Sequence, residues 1–487
     1  MGRPPPAPRR LALPTAKRKP STLGALKKSG YGIVSVREEM RRNLIALIEG
    51  GKPLFPGIVG FDDTVIPQIQ NAVLAGQDII LLGERGQAKS RLIRGLVALL
   101  DEEIPILEGS EINDHPLAPV SKMGRDLVAE MGDDAPVEWI GRDRRYGEKL
   151  ATPDISIADL VGDVDPIKIA EGRYLSDELA IHYGLIPRTN RGIFCINELP
   201  DLAERIQVGL FNLMEERDVQ IKGYRVRLHL DVVVVASANP EDYTNRGRII
   251  TPLKDRYGAQ IRTHYPREAA HEIAIMEAER RRFTDTDDRV AIPSYIKEII
   301  AEYTALARRH PEINQRSGVS VRVSIANYET VLANALRRSL IGHEAKATPR
   351  MTDLPFMVAS TVGKVELETM EEEREGRVLE DLIKKSVLNV FDRYFSVGDF
   401  DQLVLAFESG STLETGAGMP SKDYVKTLAK FDGFREALRK LKVGDEPSSV
   451  ASAMEFIVEG LHLNRRLNRD SVDGINRYHV SAPPSNR

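Results

Sequence analysis

The stretch that decides the fold is Asp78-Ile-Ile-Leu-Leu-Gly-Glu-Arg-Gly-Gln-Ala-Lys-Ser90. Its apolar run, 79–82, ends at Gly83, which is typical of a buried strand that enters a glycine-rich turn. From Ser90 onward apolar residues recur at helical spacing, so a helix is expected directly after the turn. The turn fits the phosphate-loop pattern G-x-x-x-x-G-K-[ST], except that Ala88 stands at the second glycine. Strand, turn and helix in this order predict a loop that holds phosphate groups.

The chemistry of such a loop assigns a role to each of its residues. Backbone N–H groups of the turn and of the helix start surround phosphate oxygens. Lys89 places a positive charge between the outer phosphates, and the Ser90 hydroxyl ligates Mg²⁺. Ala88 adds a methyl group where the backbone approaches phosphate closely, which is tolerated if its φ is negative. The predicted phosphate-binding residues are Gly83, Glu84, Arg85, Gly86, Gln87, Ala88, Lys89 and Ser90.

Two further apolar runs, 192–196 and 231–236, also end in polar residues. Several buried strands separated by helices indicate an α/β domain with a mainly parallel sheet. Asn197-Glu198 follows the first run, at a place where nucleotide hydrolases usually carry Asp-Glu. Asn197 can accept a hydrogen bond from a Mg²⁺-bound water but contributes no charge. Glu198 is suited to activate the attacking water as a general base.

The second run leads into Asn239, in the sequence Ala236-Ser-Ala-Asn-Pro-Glu-Asp242. An amide at this point is suited to orient water near a γ-phosphate. Asn-Pro as simple turn chemistry is an equally good explanation when this motif is taken alone. Between the two runs, residues 219–228 alternate in character around a glycine, which predicts a hairpin.

The composition is that of a globular protein. The chain has 487 residues, 42% of them apolar and 29% charged, which excludes a collagen, a mucin-like stalk and a wholly disordered chain. Its single cysteine, Cys195, excludes an intrachain disulfide and favours a reducing, cytoplasmic location. No apolar run approaches the roughly 18 residues of a membrane helix, so no membrane insertion is expected.

The sequence divides into four predicted regions. Residues 1–30 hold eight Lys/Arg, six prolines and no acid, which predicts a disordered basic tail, either simply solvated or tethered to an acidic partner. Residues 31–265 form the α/β nucleotide-binding domain. Helical periodicity predicts an all-α lid over 266–397 and a helical extension over 398–487. Beyond the tail the charge is 60 basic against 72 acidic, or −12, which disfavours nucleic acid as a partner.

As an ordered set, these motifs resemble an AAA+ ATPase, most of all the clade of the magnesium chelatase I subunit and the MoxR-type ATPases. Residues 159–190 resemble the helix-2 insertion of that clade, and 219–228 resemble its hairpin before sensor 1. The motifs that carry the resemblance are Ile58-Val-Gly60, Gly83 to Ser90, Asn197-Glu198, Asn239-Pro240-Glu241 and Leu253-Lys-Asp-Arg-Tyr-Gly258.

The resemblance implies roles for further residues. The cofactors would be ATP and Mg²⁺, with Ser90 and Asn197 at the metal, and Ile58, Val59 and Gly60 would lie near the adenine. Asn239 would be sensor 1, and Arg322 would be sensor 2 in the lid. Arg256 would be the arginine finger that reaches the ATP of a neighbouring subunit, with Arg246 and Arg248 as alternatives.

The resemblance also implies an activity. The chain would be an ATP-hydrolysing motor in a homo-oligomeric ring, a hexamer, that remodels or activates a von Willebrand A-domain protein in a chaperone-like or chelatase-type role. The insertion and the hairpin would be its contact surfaces. Because Asn197 lacks a charge, a nucleotide-gated scaffold with little hydrolysis is one alternative. A DNA-acting motor is the other, since the hairpin clade includes helicases.

Overall fold

The computed structural model describes residues 19–170, 177–221, 227–239, 247–284, 287–315, 317–368, 372–431 and 433–480. The helices of the amino-terminal part are α1 (Leu23–Lys28), α2 (Val36–Glu49), α3 (Val65–Leu74), α4 (Lys89–Gly95), α5 (Lys122–Met131), α6 (Ile157–Val161), α7 (Pro166–Ala170), α8 (Leu185–Arg188), α9 (Glu204–Gly209), α10 (Phe211–Glu215) and α11 (Thr251–Arg256). Those that follow are α12 (Ala269–Glu279), α13 (Ser294–Ala307), α14 (Val321–Ile341), α15 (Met357–Thr361), α16 (Glu372–Tyr394), α17 (Asp401–Glu408), α18 (Ser421–Leu428), α19 (Phe434–Lys440) and α20 (Pro447–Leu463). The strands are β1 (Ile79–Leu82), β2 (Glu103–Leu107), β3 (Val137–Gly141), β4 (Tyr146–Leu150), β5 (Gly162–Val164), β6 (Ile181–Tyr183), β7 (Gly192–Asn197), β8 (Asp218–Gln220), β9 (Arg227–His229), β10 (Val232–Ala238), β11 (Ala259–Arg262), β12 (Leu413–Gly416), β13 (Asn468–Val472) and β14 (Ile475–His479).

The centre of the first domain is a five-stranded sheet in the order β11-β1-β10-β7-β4. Every pair in it is parallel. The predicted α/β fold with a mainly parallel sheet is therefore confirmed. Because all five strands run in the same direction, their carboxyl ends lie at one edge of the sheet.

Both faces of this sheet are covered, which explains why its central strands are apolar throughout. Along β10, Val232 and Val234 contribute to one core with α6, α8, α9, α10 and α11. Val233 and Val235 point the other way, into a second core with α2, α3 and α4. The alternation follows from the two-residue period of a strand.

The predicted disorder of residues 1–30 is wrong for the part that the structure describes. From residue 19 the chain packs onto the domain, and α1 buries Leu23 and Leu26. The Leu23 N–H donates to the Ala135 carbonyl at 2.9 Å, and the indole N–H of Trp139 donates to the Pro20 carbonyl at 2.9 Å. Burying two leucines contributes about 3 to 6 kcal/mol, enough to order a short helix. Residues 1–18 lie outside the described residues.

The lid and the carboxyl-terminal region share one hydrophobic core that runs from Met276 to Tyr478. Phe456 of α20 stacks on Tyr295 of α13 at 4.6 Å between ring centroids. The predicted extension over 398–487 therefore packs as one body with the lid instead of forming a separate unit.

The predicted helical extension contains α17 to α20 and, in addition, an antiparallel sheet in the order β12-β14-β13 that the sequence did not indicate. The tight turn between β13 and β14 is Asp473-Gly474, with φ of 53° and 77°. Two positive φ values are what a two-residue hairpin turn requires, and Asp-Gly is a favoured pair for it. Across the described ranges, no helix combines the length and the apolar character needed to cross a bilayer.

A buried ion pair ties α2 to the sheet. Arg145 and Glu39 are 1% and 5% exposed, and the guanidinium donates two hydrogen bonds to the carboxylate, at 2.7 and 2.6 Å. Arg145 also donates to the Arg191 carbonyl at 2.7 Å. The geometry offsets the desolvation cost of both charges, so removing one partner is far more costly than the pair itself.

We expect Glu39→Gln to lower the free energy of unfolding of this domain by about 3 kcal/mol, because it leaves the Arg145 charge buried without its counter-ion. Urea unfolding followed by the fluorescence of Trp139, the chain's single tryptophan, measures the change. Glu49→Gln, at an exposed position of the same helix, is the matched control and should change stability by less than about 0.5 kcal/mol. Equal small effects of both substitutions would contradict the expectation.

Candidate functional site

The predicted phosphate loop lies between β1 and α4. The Gly83 N–H donates to the Ala238 carbonyl at 3.1 Å, and the Thr263 N–H donates to the Leu82 carbonyl at 2.8 Å. A Cβ at Gly83 would overlap the side chains of Thr263 and Gln87, so glycine is required there. Gln87 is buried and accepts a hydrogen bond from the Thr263 hydroxyl at 2.7 Å. The loop is thus held at both flanks by the two strands that neighbour β1.

Lys89 points back into the loop. Its ammonium group donates to the carbonyl oxygens of Gly83 and Glu84, at 2.5 and 2.8 Å, and the side chain is buried. Ser90, the next residue, is exposed at the start of α4. The positive charge therefore lies in the concavity of the turn, as binding a phosphate requires, and Ser90 follows it at the exposed start of the helix.

Ala88 adopts a conformation opposite to the one expected for it. Its φ is 56°, in the left-handed region, whereas a negative φ was expected to accommodate its methyl group. The conformational energy of a residue with a Cβ in this region is roughly 1–2 kcal/mol higher than that of glycine. The loop thus keeps the backbone shape that glycine would allow, with local strain.

A cavity of about 240 Å³ lies between the loop and the lid. It brings together residues that the sequence predicted from separate motifs: Ile58, Val59, Gly86, Gln87, Ala88 and Arg322. Gly60 lies beside it with a φ of 82°, and a Cβ there would come within 3.2 Å of the His271 ring. Phe61 and His264, which no motif indicated, also line the cavity.

The lid contacts the loop directly. A Cβ at Gly86 would overlap the side chain of Ser320, the N-cap of the helix that carries Arg322. Arg91 of α4 forms an ion pair with Glu279 of α12. The Arg322 side chain is exposed at the mouth of the cavity. The loop and its helix are therefore in direct contact with the lid.

Asn197, Glu198 and Asn239 lie beside the loop at the same sheet edge. The Ser237 hydroxyl donates to the Asn197 Oδ1 at 3.2 Å, and the Glu198 N–H donates to the Ser237 Oγ at 3.1 Å. Asn239 directly follows Ala238, the residue that accepts the Gly83 N–H. Glu198 has a φ of 53°, which turns the chain sharply at the end of β7. The structure thus brings these three predicted residues together, while Pro240, Glu241 and Asp242 lie outside the described residues.

Glu148 of β4 is a site residue that sequence reasoning missed. It accepts a hydrogen bond from the Asn197 amide at 2.5 Å, two from Arg94 of α4 at 2.8 Å, and one from the Tyr146 hydroxyl at 2.9 Å. The Arg94 guanidinium holds the pKa of the Glu148 carboxyl below its usual range, although burial opposes this. A carboxylate therefore lies next to Asn197. Because β4 lacks an apolar run, its sequence did not indicate a strand.

Cys195 faces the same region but offers no reactivity. Burial raises the pKa of its thiol to about 12. The thiolate, which is the nucleophilic form, is therefore negligible at neutral pH. The residue acts as a small core side chain, as β7's apolar run suggests.

Arg256 lies at the opposite edge of the sheet. It precedes β11, whose first residue pairs with Ile79 at the start of β1, whereas the loop follows the end of β1. Four strand residues span about 13 Å, so Arg256 is remote from the loop of its own chain. Its guanidinium donates to Glu215 at 3.0 Å and lies 4.6 Å from the centroid of the Phe211 ring.

Arg248 and Arg246 are the two alternatives to Arg256. Arg248 pairs with Glu204 at 3.1 Å, with 73% of its side chain exposed. Arg246 lies outside the described residues. The predicted hairpin is present as β8 and β9, paired from Asp218 with His229 to Gln220 with Arg227, and the insertion contains the β5–β6 pair. Residues 222–226 and 171–176 lie outside the described parts of these elements.

The donor set fits a nucleotide-bound Mg²⁺. No group of three or more His, Cys, Asp or Glu that could hold a metal occurs in the described ranges. The loop edge instead offers the Ser90 hydroxyl, the Asn197 amide and nearby carboxylates. Mg²⁺ typically uses such a few oxygen ligands together with substrate phosphates.

Comparison with known proteins found relatives but no matching family model. The chain is 24% identical over 327 residues to the magnesium-chelatase subunit ChlI of Nostoc sp., covering 62% of this chain and 80% of that protein. It is 28% identical over 251 residues to the magnesium-chelatase 38 kDa subunit of Rhodobacter capsulatus, covering 50% and 65%. Among solved structures, a chain from a cryo-EM-based complex of subunits BchI and BchD of magnesium chelatase aligns at 21% identity, with a TM-score of 0.34, over 66% of this chain and 98% of that one.

We expect Ala88→Gly to raise the free energy of unfolding by about 0.5–1 kcal/mol, because relief of the left-handed strain exceeds the added chain entropy. Ala98→Gly, at an exposed position of the following 3-10 turn, should instead lower it by about 0.5–1 kcal/mol. Urea unfolding of both variants tests the difference in sign. Equal losses would show that Ala88 carries no strain.

Proposed function

We propose that this chain is an AAA+ ATPase related to the magnesium chelatase I subunits, and that it works as a ring-forming motor acting on a partner protein. Its cofactor is ATP with Mg²⁺. The observation that carries the proposal is the convergence of Lys89, Asn197-Glu198, Asn239 and Arg322 around one loop, with Arg256 at the far edge of the sheet. A site built this way is completed by a neighbouring copy of the chain.

Within one subunit each residue has a distinct task. Lys89 leaves the carbonyls of Gly83 and Glu84 for the outer phosphates, which exchanges neutral acceptors for charged ones. Glu198 accepts a proton from the attacking water, and Asn239 orients that water. Mg²⁺, when bound, neutralises charge on the β- and γ-phosphates. Ser90 and Asn197 are the residues that would hold it.

Arg256 acts on the neighbour's nucleotide. Since it lies about 13 Å or more from its own loop, a role in transferring the phosphoryl group requires a second subunit. The Glu215 carboxylate and the Phe211 ring hold the guanidinium at the subunit surface. An arginine placed there stabilises charge that builds on the phosphoryl group.

Nucleotide turnover changes the angle between the domain and the lid. The loop touches the lid through Gly86 and Ser320, and α4 touches it through Arg91 and Glu279. Arg322 faces the same cavity. Loss of the γ-phosphate therefore alters contacts that the lid shares with the loop.

The ring would pass this motion to a partner, for which the resemblance favours a von Willebrand A-domain protein. The insertion and the β8–β9 hairpin are the proposed contact surfaces. An exposed apolar side chain supports the first of these, since Ile167 is 69% exposed. Whether the action is chaperone-like remodelling or a chelatase-type role depends on that partner.

A nucleotide-gated scaffold is the second candidate function, and Asn197 favours it. An amide in place of a carboxylate removes a charge from the metal site and would slow turnover. Ala88, in a strained conformation at the phosphate loop, points the same way. The two candidates differ in whether phosphate is released at steady state.

We expect Lys89→Ala to abolish ATP binding in calorimetry, and Glu198→Gln to retain binding while losing phosphate release by about 10²-fold or more, the lower range for loss of a general base. The motor requires a measurable wild-type rate that Glu198→Gln removes. Equal, near-zero rates for wild type and Glu198→Gln would instead establish the scaffold. Unchanged affinity in Lys89→Ala would remove the phosphate loop from both candidates.

We expect Arg256→Ala to keep ATP binding but lose turnover by about 10³-fold, the lower range for an arginine finger. Mixed with Lys89→Ala, it should regain part of the activity, because some mixed interfaces join an intact loop to an intact arginine. Arg248→Ala, a nearby exposed arginine with its own acidic partner, is the matched control and should retain wild-type turnover. No recovery in the mixture would contradict a shared site.

A further inference from the structure

β7 ends in the uncharged Asn197, where nucleotide hydrolases usually carry Asp, and the neighbouring strand β4 carries the carboxylate of Glu148. We propose that Glu148 of β4 supplies, through the Asn197 amide, the negative charge of the metal site. The proposal rests on the proposed binding of ATP with Mg²⁺. Glu148 is in this view a positioning residue, which acts on the metal through Asn197 and its water shell.

Strand register brings the two side chains together. Glu148 pairs with Cys195 and Leu150 pairs with Asn197 in the parallel β4–β7 ladder. Because side chains two residues apart share a face, Cys195, Asn197 and Glu148 lie on one side of the sheet. The Asn197 Nδ2 lies 2.5 Å from the Glu148 Oε1.

This contact fixes the orientation of the amide. An ionised carboxylate only accepts hydrogen bonds, so Asn197 must present its NH₂ group to Glu148. Its Oδ1 then accepts hydrogen bonds from the Ser237 hydroxyl at 3.2 Å and from the Cys195 thiol at 3.6 Å. The Asn197 amide is therefore held between two neutral donors on its oxygen and a carboxylate on its nitrogen, and that carboxylate polarises it.

The carboxylate lies beneath the helix that begins with Lys89 and Ser90. Leu92 and Ile93 of α4 pack in the same core as Ile193 and Cys195 of β7. Arg94 reaches from α4 to Glu148. The charge is thus on the face of the sheet where the metal-binding hydroxyl begins its helix.

Arg94 holds Glu148 in place without cancelling its field. The Arg94 side chain is 63% exposed, whereas that of Glu148 is 20% exposed. Solvent screens the exposed member of such a pair strongly. The carboxylate oxygen that touches Asn197, Oε1, also accepts from the Arg94 Nη2 at 2.8 Å, so the solvent-screened guanidinium offsets part of the charge that Asn197 meets.

The test exchanges the charge between the two positions. Glu148→Gln removes it, and Asn197→Asp places a second carboxylate against the first, which like-charge repulsion opposes. The double variant Glu148→Gln/Asn197→Asp keeps one charge and one amide in swapped positions. Glu138→Gln is the matched control, since Glu138 has an exposed arginine partner, Arg144 at 2.8 Å, on a strand outside the five-stranded sheet.

The affinity of the protein for a fluorescent ATP analogue is measured as Mg²⁺ is added, with the affinity in EDTA as the reference. The readout is the Mg²⁺ concentration at which the increase in affinity is half-maximal. Glu148→Gln should raise this concentration about 10-fold, as the loss of an indirect metal partner does, with little change of affinity in EDTA. In the double variant this Mg²⁺ concentration should return to within about 3-fold of the wild-type value. Nucleotide-free melting temperature should fall in Asn197→Asp and recover in the double variant.

Two results would overturn the proposal: an unchanged Mg²⁺ dependence in Glu148→Gln, or a double variant whose defect equals the sum of the single ones. If Glu148→Gln fails to fold, the comparison of the double variant with Asn197→Asp decides, since an identical Mg²⁺ dependence of the two would show that the charge at position 148 has no effect on the metal. Failure of the proposed function has a different appearance, because the wild type would then bind no analogue or Lys89→Ala would bind it equally well.

Discussion

The hydrogen bond from the Gly83 N–H to the Ala238 carbonyl is the constraint on which the site depends. It forces the chain that leaves β1 to run beside the chain that leaves β10. Since β7 pairs with β10 in parallel, its end is brought to the same edge. A phosphate loop, a candidate base and a candidate water-orienting amide therefore meet because of strand order.

The same loop contacts the lid directly. Gly86 touches Ser320, and the Tyr265 hydroxyl donates to the Arg85 carbonyl at 3.0 Å. Arg308 of the lid lies 4.4 Å from the Tyr265 ring centroid. Behind these contacts the lid and the carboxyl-terminal region share one core.

Sequence alone predicted those elements of the fold that local residue patterns specify. The apolar runs of β1, β7 and β10 identified the sheet, because parallel strands covered on both faces have nearly continuous apolar sequences. It missed β4, whose Tyr-Gly-Glu-Lys-Leu sequence has no such run. It also missed the order of residues 19–30, since basic and proline-rich composition outweighed two leucines at helical spacing. The Asp473-Gly474 turn was a local pattern that could have revealed the carboxyl-terminal hairpin.

Site residues follow the same division. Lys89, Glu198 and Asn239 were predicted because each ends or follows a recognisable strand. Glu148 could not be, because its importance comes from strand pairing: β4 lies beside β7 only in three dimensions. The φ of Ala88 was likewise set by the loop's anchors and not by its own residue type, since the flanking bonds of Gly83 and Thr263 impose the turn.

The two departures, Ala88 from the phosphate-loop pattern and Asn197 from the usual Asp-Glu pair, have different physical characters. Ala88 changes no charge and costs conformational energy in every state of the protein, bound or free. Asn197 costs little in conformation but removes a charge that matters only when a metal is bound. A nearby strand can compensate for a missing charge, because electrostatic interactions act over several ångströms in a poorly solvated site. No neighbour can relieve a strained φ, so the strain at Ala88 must be offset by the packing of the loop against β10, β11 and the lid.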